Sequence, residues 1–355
     1  MSLKQMIQFG LSVDEEKIVR SAQIVQAELP VRLAHRLMDL QTLPHVCITN
    51  PYIQDVFSRY VDAFRRLEAM PTVQTLEDDE KLSTLLRQLV DNTNTVVETL
   101  GQGMAEVTRK LPAVAVNVND FLDRMLMSRI GRRVLAEHHI MLHRAKKRTP
   151  DGWVGVINTR CSPHHALLNS VEKATEICRR TFGDAPDVIV TGDLGATIPY
   201  IPYHLEYIFL EILKNSMRAT MENVRIRPPV DNGRPPPIEV LIGEGSTELL
   251  VRISDRGGGV PASVMERAFD YCYTTFDHSA VLTNEGQGGL GMLGNVAAVE
   301  VQHSPIAGFG FGLPLSRSYA RYFGGDLRML TLEGFGSEVY VTLDRTGDKV
   351  EKVEI

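Results

Sequence analysis

Between Asp14 and about Lys147 the chain carries almost no strand signal, and its apolar residues recur at spacings of three and four, as in Ile18, Ala22, Val25, Leu29 and again in Leu85, Leu89, Val96, Leu100. Such spacing draws one apolar stripe along a helix, and a striped helix has to bury that stripe against others. Breaks fall at Leu43-Pro44, Asn50-Pro51, Pro71-Thr72 and Leu111-Pro112. They leave about four long segments joined by short connections. An antiparallel helical bundle over residues 1–150 is the expected result.

After Pro150-Asp151-Gly152 the texture changes. Trp153 to Arg160 is β-rich, Pro163 to Phe182 reads as a helix, and Asp187 to Val190 as a short strand. Further on come a helix over Pro202 to Glu222, strands near Ile238 to Ile242 and Leu249 to Asp255, and a helix from Pro261 to Tyr271. The chain closes with a helix from Leu313 to Phe323 and strands over Asp326 to Thr331 and Ser337 to Leu343. Arg227 to Pro237 is a proline-rich surface loop, and Thr283 to Gly312 is glycine-rich. The fold class is therefore α+β, a bundle domain over 1–150 followed by a mixed α/β domain over 151–355. With 355 residues, 43% of them hydrophobic, there is material for two cores.

Composition removes several functions. A formal net charge of −6 offers no footprint for a nucleic-acid backbone. No apolar run reaches the ~18 residues that a membrane helix needs. The cysteines, Cys47, Cys161, Cys178 and Cys272, stand apart without a C-x-x-C, which fits a reducing compartment better than a zinc knuckle or a disulfide framework. The first residues, MSLKQMIQFG, lack the charged-then-apolar order of a signal peptide and read as folded chain.

Three constellations carry chemistry. The first is Glu211, Lys214, Asn215 and Arg218, stacked by spacings of three and four on one face of the Pro202 to Glu222 helix, away from an apolar stripe of Leu205, Ile208, Phe209 and Ile212. A carboxylate, an amide and two cations together suit a general base, a magnesium ligand and phosphate clamps; the plain reading is a solvated helix face. The second is Asp255-Arg-Gly257-Gly258-Gly259-Val260-Pro261 at a strand end, where missing Cβ atoms let a ligand touch the backbone and Asp255 can accept from an exocyclic amine. Its plain reading is a tight strand-to-helix turn. The third is Gly308-Phe309-Gly310-Phe311-Gly312-Leu313-Pro314 running into a helix, which offers bare amides and a positive dipole end to phosphate oxygens, or else a simple hinge.

In this order, E-x-x-K-N, then D-x-G-x-G, then G-x-G-x-G-L-P, the three resemble the GHKL (Bergerat) ATP-binding fold, an α/β sandwich. Rival nucleotide signatures, G-x-x-x-x-G-K-[ST], H-R-D and D-F-G, are missing. Within that superfamily the chain resembles the mitochondrial kinases of 2-oxoacid dehydrogenase complexes over nearly its full length. The resembling stretches are Glu28 to Arg36, Ser128 to His139, Glu211 to Glu222, Arg252 to Pro261 and Gly308 to Leu327. The resemblance implies a protein serine kinase of the mitochondrial matrix that phosphorylates and inactivates the E1 subunit of the pyruvate or branched-chain complex. It implies docking on the lipoyl domain of the E2 core, homodimerisation, ATP and magnesium (Mg2+) as cofactors and potassium (K+) as a candidate addition.

Carried over residue by residue, the resemblance makes Glu211 the general base with Lys214 beside it, Asn215 the magnesium ligand, and Asp255 the partner of the adenine amine. Arg218, Gly257, Gly259, Thr274 and Thr275 would line the nucleotide site, Gly308, Phe309, Gly310, Phe311, Gly312 and Leu313 would wrap the phosphates, and Ser337 stands where the family usually has a threonine. Thr93 replaces a family histidine thought to tune the base. No Asp-Trp pair lies near the chain end, which points to the branched-chain kinase, while Ser2 to Gly10 resembles the entry segment of the pyruvate kinases.

Two rivals stay open in the sequence. His139, on a bundle helix with His138 and His143, could be the acceptor of a histidine kinase, or with His143 at i, i+4 half of a metal site. A non-catalytic ATP-binding scaffold would need the nucleotide residues without the base. Arg129, Arg132 and Arg133 share that helix; they are surface arginines or, as the resemblance implies, the acid-binding residues of a regulatory pocket.

Overall fold

The computed structural model describes residues 1–111, 115–145, 152–227, 233–273 and 310–351. Thr274, Thr275, Gly308, Phe309 and most of the glycine-rich stretch lie outside these residues. The described chain divides into two compact units, one made of residues 1–159 with the segment from Val350, the other of residues 160–349.

The first unit is helical: α1 (Leu3–Gly10), α2 (Glu15–Gln41), α3 (His45–Ile48), α4 (Pro51–Glu68), α5 (Leu76–Asn92), α6 (Val96–Lys110) and α7 (Ala115–Ala145). The starts are written in the sequence. Asp14 accepts from Lys17 N to begin α2, Asn50 accepts from Tyr52 N ahead of Pro51 in α4, and Thr75 with Asp78 forms a reciprocal capping box for α5. α2 packs on α4, α5 and α7, and α4 on α6. Ile18, Leu33, Ile53, Tyr60, Leu82 and Leu86 are buried among them.

Two features depart from the expected four segments. A helix stands at the chain start, where Ser2 and Gln5 cap it reciprocally and Leu3 and Met6 are buried. The stretch through Thr93 is broken as well: the Thr93 hydroxyl donates to the carbonyls of Leu89 (2.9 Å) and Val90 (3.0 Å), which ends α5, and the helix restarts at Val96. Side chains that bond their own backbone compete with helix propagation, and no proline or glycine marks this break. The unit closes on β1 (Trp153–Val154) paired antiparallel with β2 (Ile157–Cys161).

The second unit contains α8 (Pro163–Phe182), β3 (Val188–Gly192), β4 (Ile198–Tyr200), α9 (Pro202–Ile226), β5 (Ile238–Glu244), β6 (Glu248–Asp255), α10 (Ala262–Met265), α11 (Gly312–Tyr322), β7 (Asp326–Leu332) and β8 (Gly336–Asp344). A five-stranded sheet runs in the order β3-β5-β6-β8-β7, parallel at β3–β5 and antiparallel elsewhere. Strand residues alternate strictly. Val240, Val251, Ile253, Val341 and Leu327 face inward, where α9 and α11 pack. Ile189, Leu241, Leu330 and Leu332 are exposed on strands of the same sheet. The helix expected over Pro261 to Tyr271 is only four residues long. No residue of α10 is buried, so nothing rewards continuing it, and the chain goes on as turns bonded from i to i−3 such as Arg267 N to Val264 O (3.1 Å).

Candidate active site

Helix α9 is the scaffold of the site. Leu205, Ile208, Phe209 and Ile212 are each at most 1% exposed and lock one side of the helix into the second unit. That leaves Glu211, Asn215 and Arg218 lining a cleft enclosing about 1070 Å3, part of it continuous with solvent. Asp255, Gly259, Gly310, Gly312, Leu313 and Ser337 line the same cleft. The described parts of all three sequence constellations therefore converge on one cavity.

At one end the Glu211 carboxylate meets Lys214 Nζ at 2.7 Å. Lys214 is buried and reaches the cleft only through this pair. Gly312 starts α11 directly against Glu211: a Cβ there would collide with Oε2. Gly310 takes φ +78°, and a Cβ would stand 2.5 Å from the Tyr273 carbonyl. Gly310 is thus required by its backbone, whereas a side chain at Gly312 would have to displace the end of Glu211.

At the other end Asp255 is buried and accepts from Gly257 N (2.9 Å) and Ser337 N (3.3 Å). Burial pushes its carboxyl above the ordinary value, only partly offset by these amides and the Ser216 hydroxyl. A carboxylate held this way gains from one more donor, which a base's exocyclic amine supplies. Val260, Val264, Ala268, Met329 and Val339 give the neighbouring walls an apolar surface suited to a flat ring. Sequence reasoning passed over these residues and Ser216. On a strand or short helix, an apolar side chain facing a cleft has the same signature as one facing the core.

Two expected ligand residues are not among those that line the cleft. Phe311 does not enter the cleft; it is 2% exposed and packs its ring on Tyr271 at 5.2 Å between centroids. Gly257 serves the fold, since a Cβ would stand 2.5 Å from that of Ala219 on α9.

Comparison with known proteins agrees with this geometry. Residues 201–347 match the family of histidine kinase-, DNA gyrase B- and HSP90-like ATPases, and residues 1–158 match the mitochondrial branched-chain alpha-ketoacid dehydrogenase kinase family. A mitochondrial pyruvate dehydrogenase (acetyl-transferring) kinase of Arabidopsis thaliana is 36% identical over 353 residues, covering 99% of this chain and 92% of that protein. Isozyme 1 of Homo sapiens is 33% identical, covering 100% of this chain and 79% of that protein. Isozyme 4 of Mus musculus is 32% identical over 100% of this chain and 83% of its own length. The chain belongs to the pyruvate dehydrogenase kinase family.

In this family member the bundle histidines are not available for phosphoryl transfer. His139 is 1% exposed, with Nε2 2.9 Å from Asp79 Oδ1 and Nδ1 3.0 Å from the Ser21 hydroxyl. His143 Nδ1 holds the other oxygen of Asp79. Burial alone would raise the Asp79 carboxyl, but the contacts of His139 and then His143 outweigh it and hold it below the ordinary value. Among the described residues no group of three ligands is placed to hold a metal ion.

The three arginines of α7 are likewise not surface residues. They line a small cavity, open to solvent, together with Leu29, Leu33, Leu67 and Thr93. Arg129 donates to the Thr93 carbonyl (3.2 Å), Arg132 to the Tyr60 hydroxyl (2.8 Å) and Arg133 to Asn94 (2.9 Å). Thr93 itself donates to its own helix, as above. Another cavity, partly open to solvent, lies between α1, α2 and α7, lined by Met6, Phe9, Ile24, Val25, Leu135 and His138 among others. No helix of the described residues is long and apolar enough to cross a membrane.

Proposed function

We propose that this chain is an ATP-dependent protein serine kinase that phosphorylates, and so inactivates, the E1 subunit of pyruvate dehydrogenase in the mitochondrial matrix. The observation that carries this is the cleft where Glu211, Asn215, Asp255 and the bare backbone of Gly310 and Gly312 meet, in a chain related along its whole length to pyruvate dehydrogenase kinases. Transfer of a phosphoryl group asks mainly for alignment and charge neutralisation. Asp255 takes the adenine amine, the α11 start and Arg218 face the phosphates, and Glu211 accepts the proton of the attacking serine hydroxyl. Lys214 holds that carboxylate in place. Asn215, one turn beyond Glu211, would hold the magnesium ion, which would supply charge neutralisation for the phosphates when bound.

Incubating the chain with radiolabelled ATP and purified pyruvate E1 and branched-chain E1 in parallel tests the reading. Acid-stable label on a pyruvate E1 serine is expected, and Glu211→Gln should cut it by about 10^3-fold while ATP still binds. Label on the kinase itself, or on branched-chain E1 alone, would overturn it. Asn215→Ala should remove the magnesium dependence of nucleotide affinity in calorimetry; an unchanged dependence would take that role from Asn215.

Three features support the remaining partners. Ile189, Leu241, Leu330 and Leu332 leave apolar side chains exposed on strands of the five-stranded sheet, a surface for a second copy. The apolar cavity of α1, α2 and α7 suits the aliphatic arm of a lipoyl group on E2. The arginine-lined cavity suits a small regulatory carboxylate.

A further inference from the structure

We propose that Thr331 on β7 is a positioning residue that fixes the direction of the Ser337 hydroxyl and thereby decides which base edge the cleft reads. The proposal rests on the nucleotide reading above. Asp255, Ser337 and Thr331 form one row across three adjacent strands, Asp255 opposite Ser337 and Ser337 opposite Thr331. Directly opposed residues share a face of the sheet. Asp255 and Ser337 line the cleft, whereas Thr331 stands behind them.

Thr331 Oγ1 accepts the amide of Val260 at 2.9 Å. Val260 follows Gly259, which takes φ +65° and has no room for a Cβ against the Leu332 carbonyl. The loop is therefore pressed on the end of β7, and this amide has a fixed direction. A hydroxyl carries one proton. Thr331 Oγ1 lies 3.1 Å from Ser337 Oγ, a contact in which either hydroxyl can be the donor, and 3.4 Å from the Gly336 carbonyl; in the proposed arrangement the Thr331 proton goes to Ser337. Ser337 Oγ then receives a proton from behind, and its own proton is left to point into the cleft.

The row thus presents a donor beside an acceptor: the Ser337 hydroxyl gives, and the Asp255 carboxylate takes. Adenine offers the complement, an acceptor ring nitrogen next to a donor amine. Hypoxanthine, with an oxo group and a protonated ring nitrogen, offers the reverse. Asp255 alone would favour adenine through one contact; Thr331 adds the second by polarising Ser337.

The test compares the affinity of the full chain for ATP and inosine triphosphate, by calorimetry with magnesium, in wild type, Thr331→Val and Thr331→Ser. Thr331→Val should weaken ATP by about tenfold and inosine triphosphate by less than about twofold, the worth of one directed hydrogen bond. Thr331→Ser, which keeps the hydroxyl, should hold the wild-type ratio. Equal weakening of both nucleotides, or none, would make Thr331 a packing residue and overturn the proposal. Should Thr331→Val not fold, Ser337→Ala removes the same donor and must show the same ATP-selective loss; an unchanged ratio there overturns the proposal too. A wild-type chain that binds neither nucleotide would instead end the nucleotide reading, and this proposal with it.

Discussion

Gly312 shows how much one absent side chain decides. A Cβ there would collide with Glu211 Oε2 and stand 3.3 Å from its Cδ, so an alanine would displace the carboxylate proposed as the base. Gly312→Ala should push the carboxylate off its contact with Lys214 and lower kcat by about 100-fold, the scale of a displacement near 1 Å. Steady-state kinetics with E1 checks this, and a kcat within a factor of two of wild type would remove the steric argument. The glycine itself stands out in the sequence, because G-x-G-x-G ahead of a helix marks a place where backbone meets something. What it meets does not: from residue types alone the partner was a phosphate, and the structure adds the Glu211 carboxylate. Phe311, between the same glycines, has a motif position that says ligand and a size that says core, and its side chain is buried against Tyr271.

At the scale of elements, α9 and α10 mark the two extremes of legibility. The apolar stripe of α9 is long and periodic, and Pro202 stands at its first helical position, so the face that carries Glu211 and Asn215 follows from spacing. α10 has acceptable helix formers and a proline start, but nothing covers it, and four residues are all that form. α7 has two histidines side by side with opposite fates. His139 finds Asp79 and Ser21, while neither ring nitrogen of His138 finds a partner, and burial, helped by the neighbouring His139, pushes its pKa down to about 3. The unfolded chain therefore binds a proton at His138 between about pH 6.5 and 3 that the folded chain does not. Its neutral burial is harmless above about pH 6.5, and stability falls as pH drops through that window, by an amount of the order of 4 kcal/mol. Asp79, held below its ordinary value, is lost only at lower pH, as acid protonates it through and below the usual carboxylate range. Urea denaturation from pH 8 to 4 should show the fall in wild type and a flatter profile in His138→Leu. Parallel profiles would sink the assignment.

For the whole molecule the sheet face is the decisive surface. Leu330 and Leu332 are 62% and 65% exposed on β7. If a second copy covers them, Leu330→Asp should convert the dimer to a monomer in light scattering; a wild type that is itself monomeric would end the homodimer reading. A second feature of this scale is the return of the chain to the bundle. Arg32 grips Glu351 through two contacts, 2.7 and 3.2 Å, with both side chains buried, and Ser2 bridges to Val350. Nothing in the last residues announces this, since a lone glutamate near a chain end has the signature of solvent.

What the sequence determined by itself is everything governed by local periodicity and local sterics: the bundle, the mixed sheet, the helix face of Glu211 and the glycines that must meet a neighbour. These need only spacing and the presence or absence of a Cβ. What the tertiary structure alone decided is which polar groups find each other across long separations, as Asp79 finds His139, Arg32 finds Glu351 and Thr331 finds Val260 and Ser337. Such pairings depend on register between distant elements, where a single residue of slip turns a side chain to the opposite face. No local window of the chain encodes that.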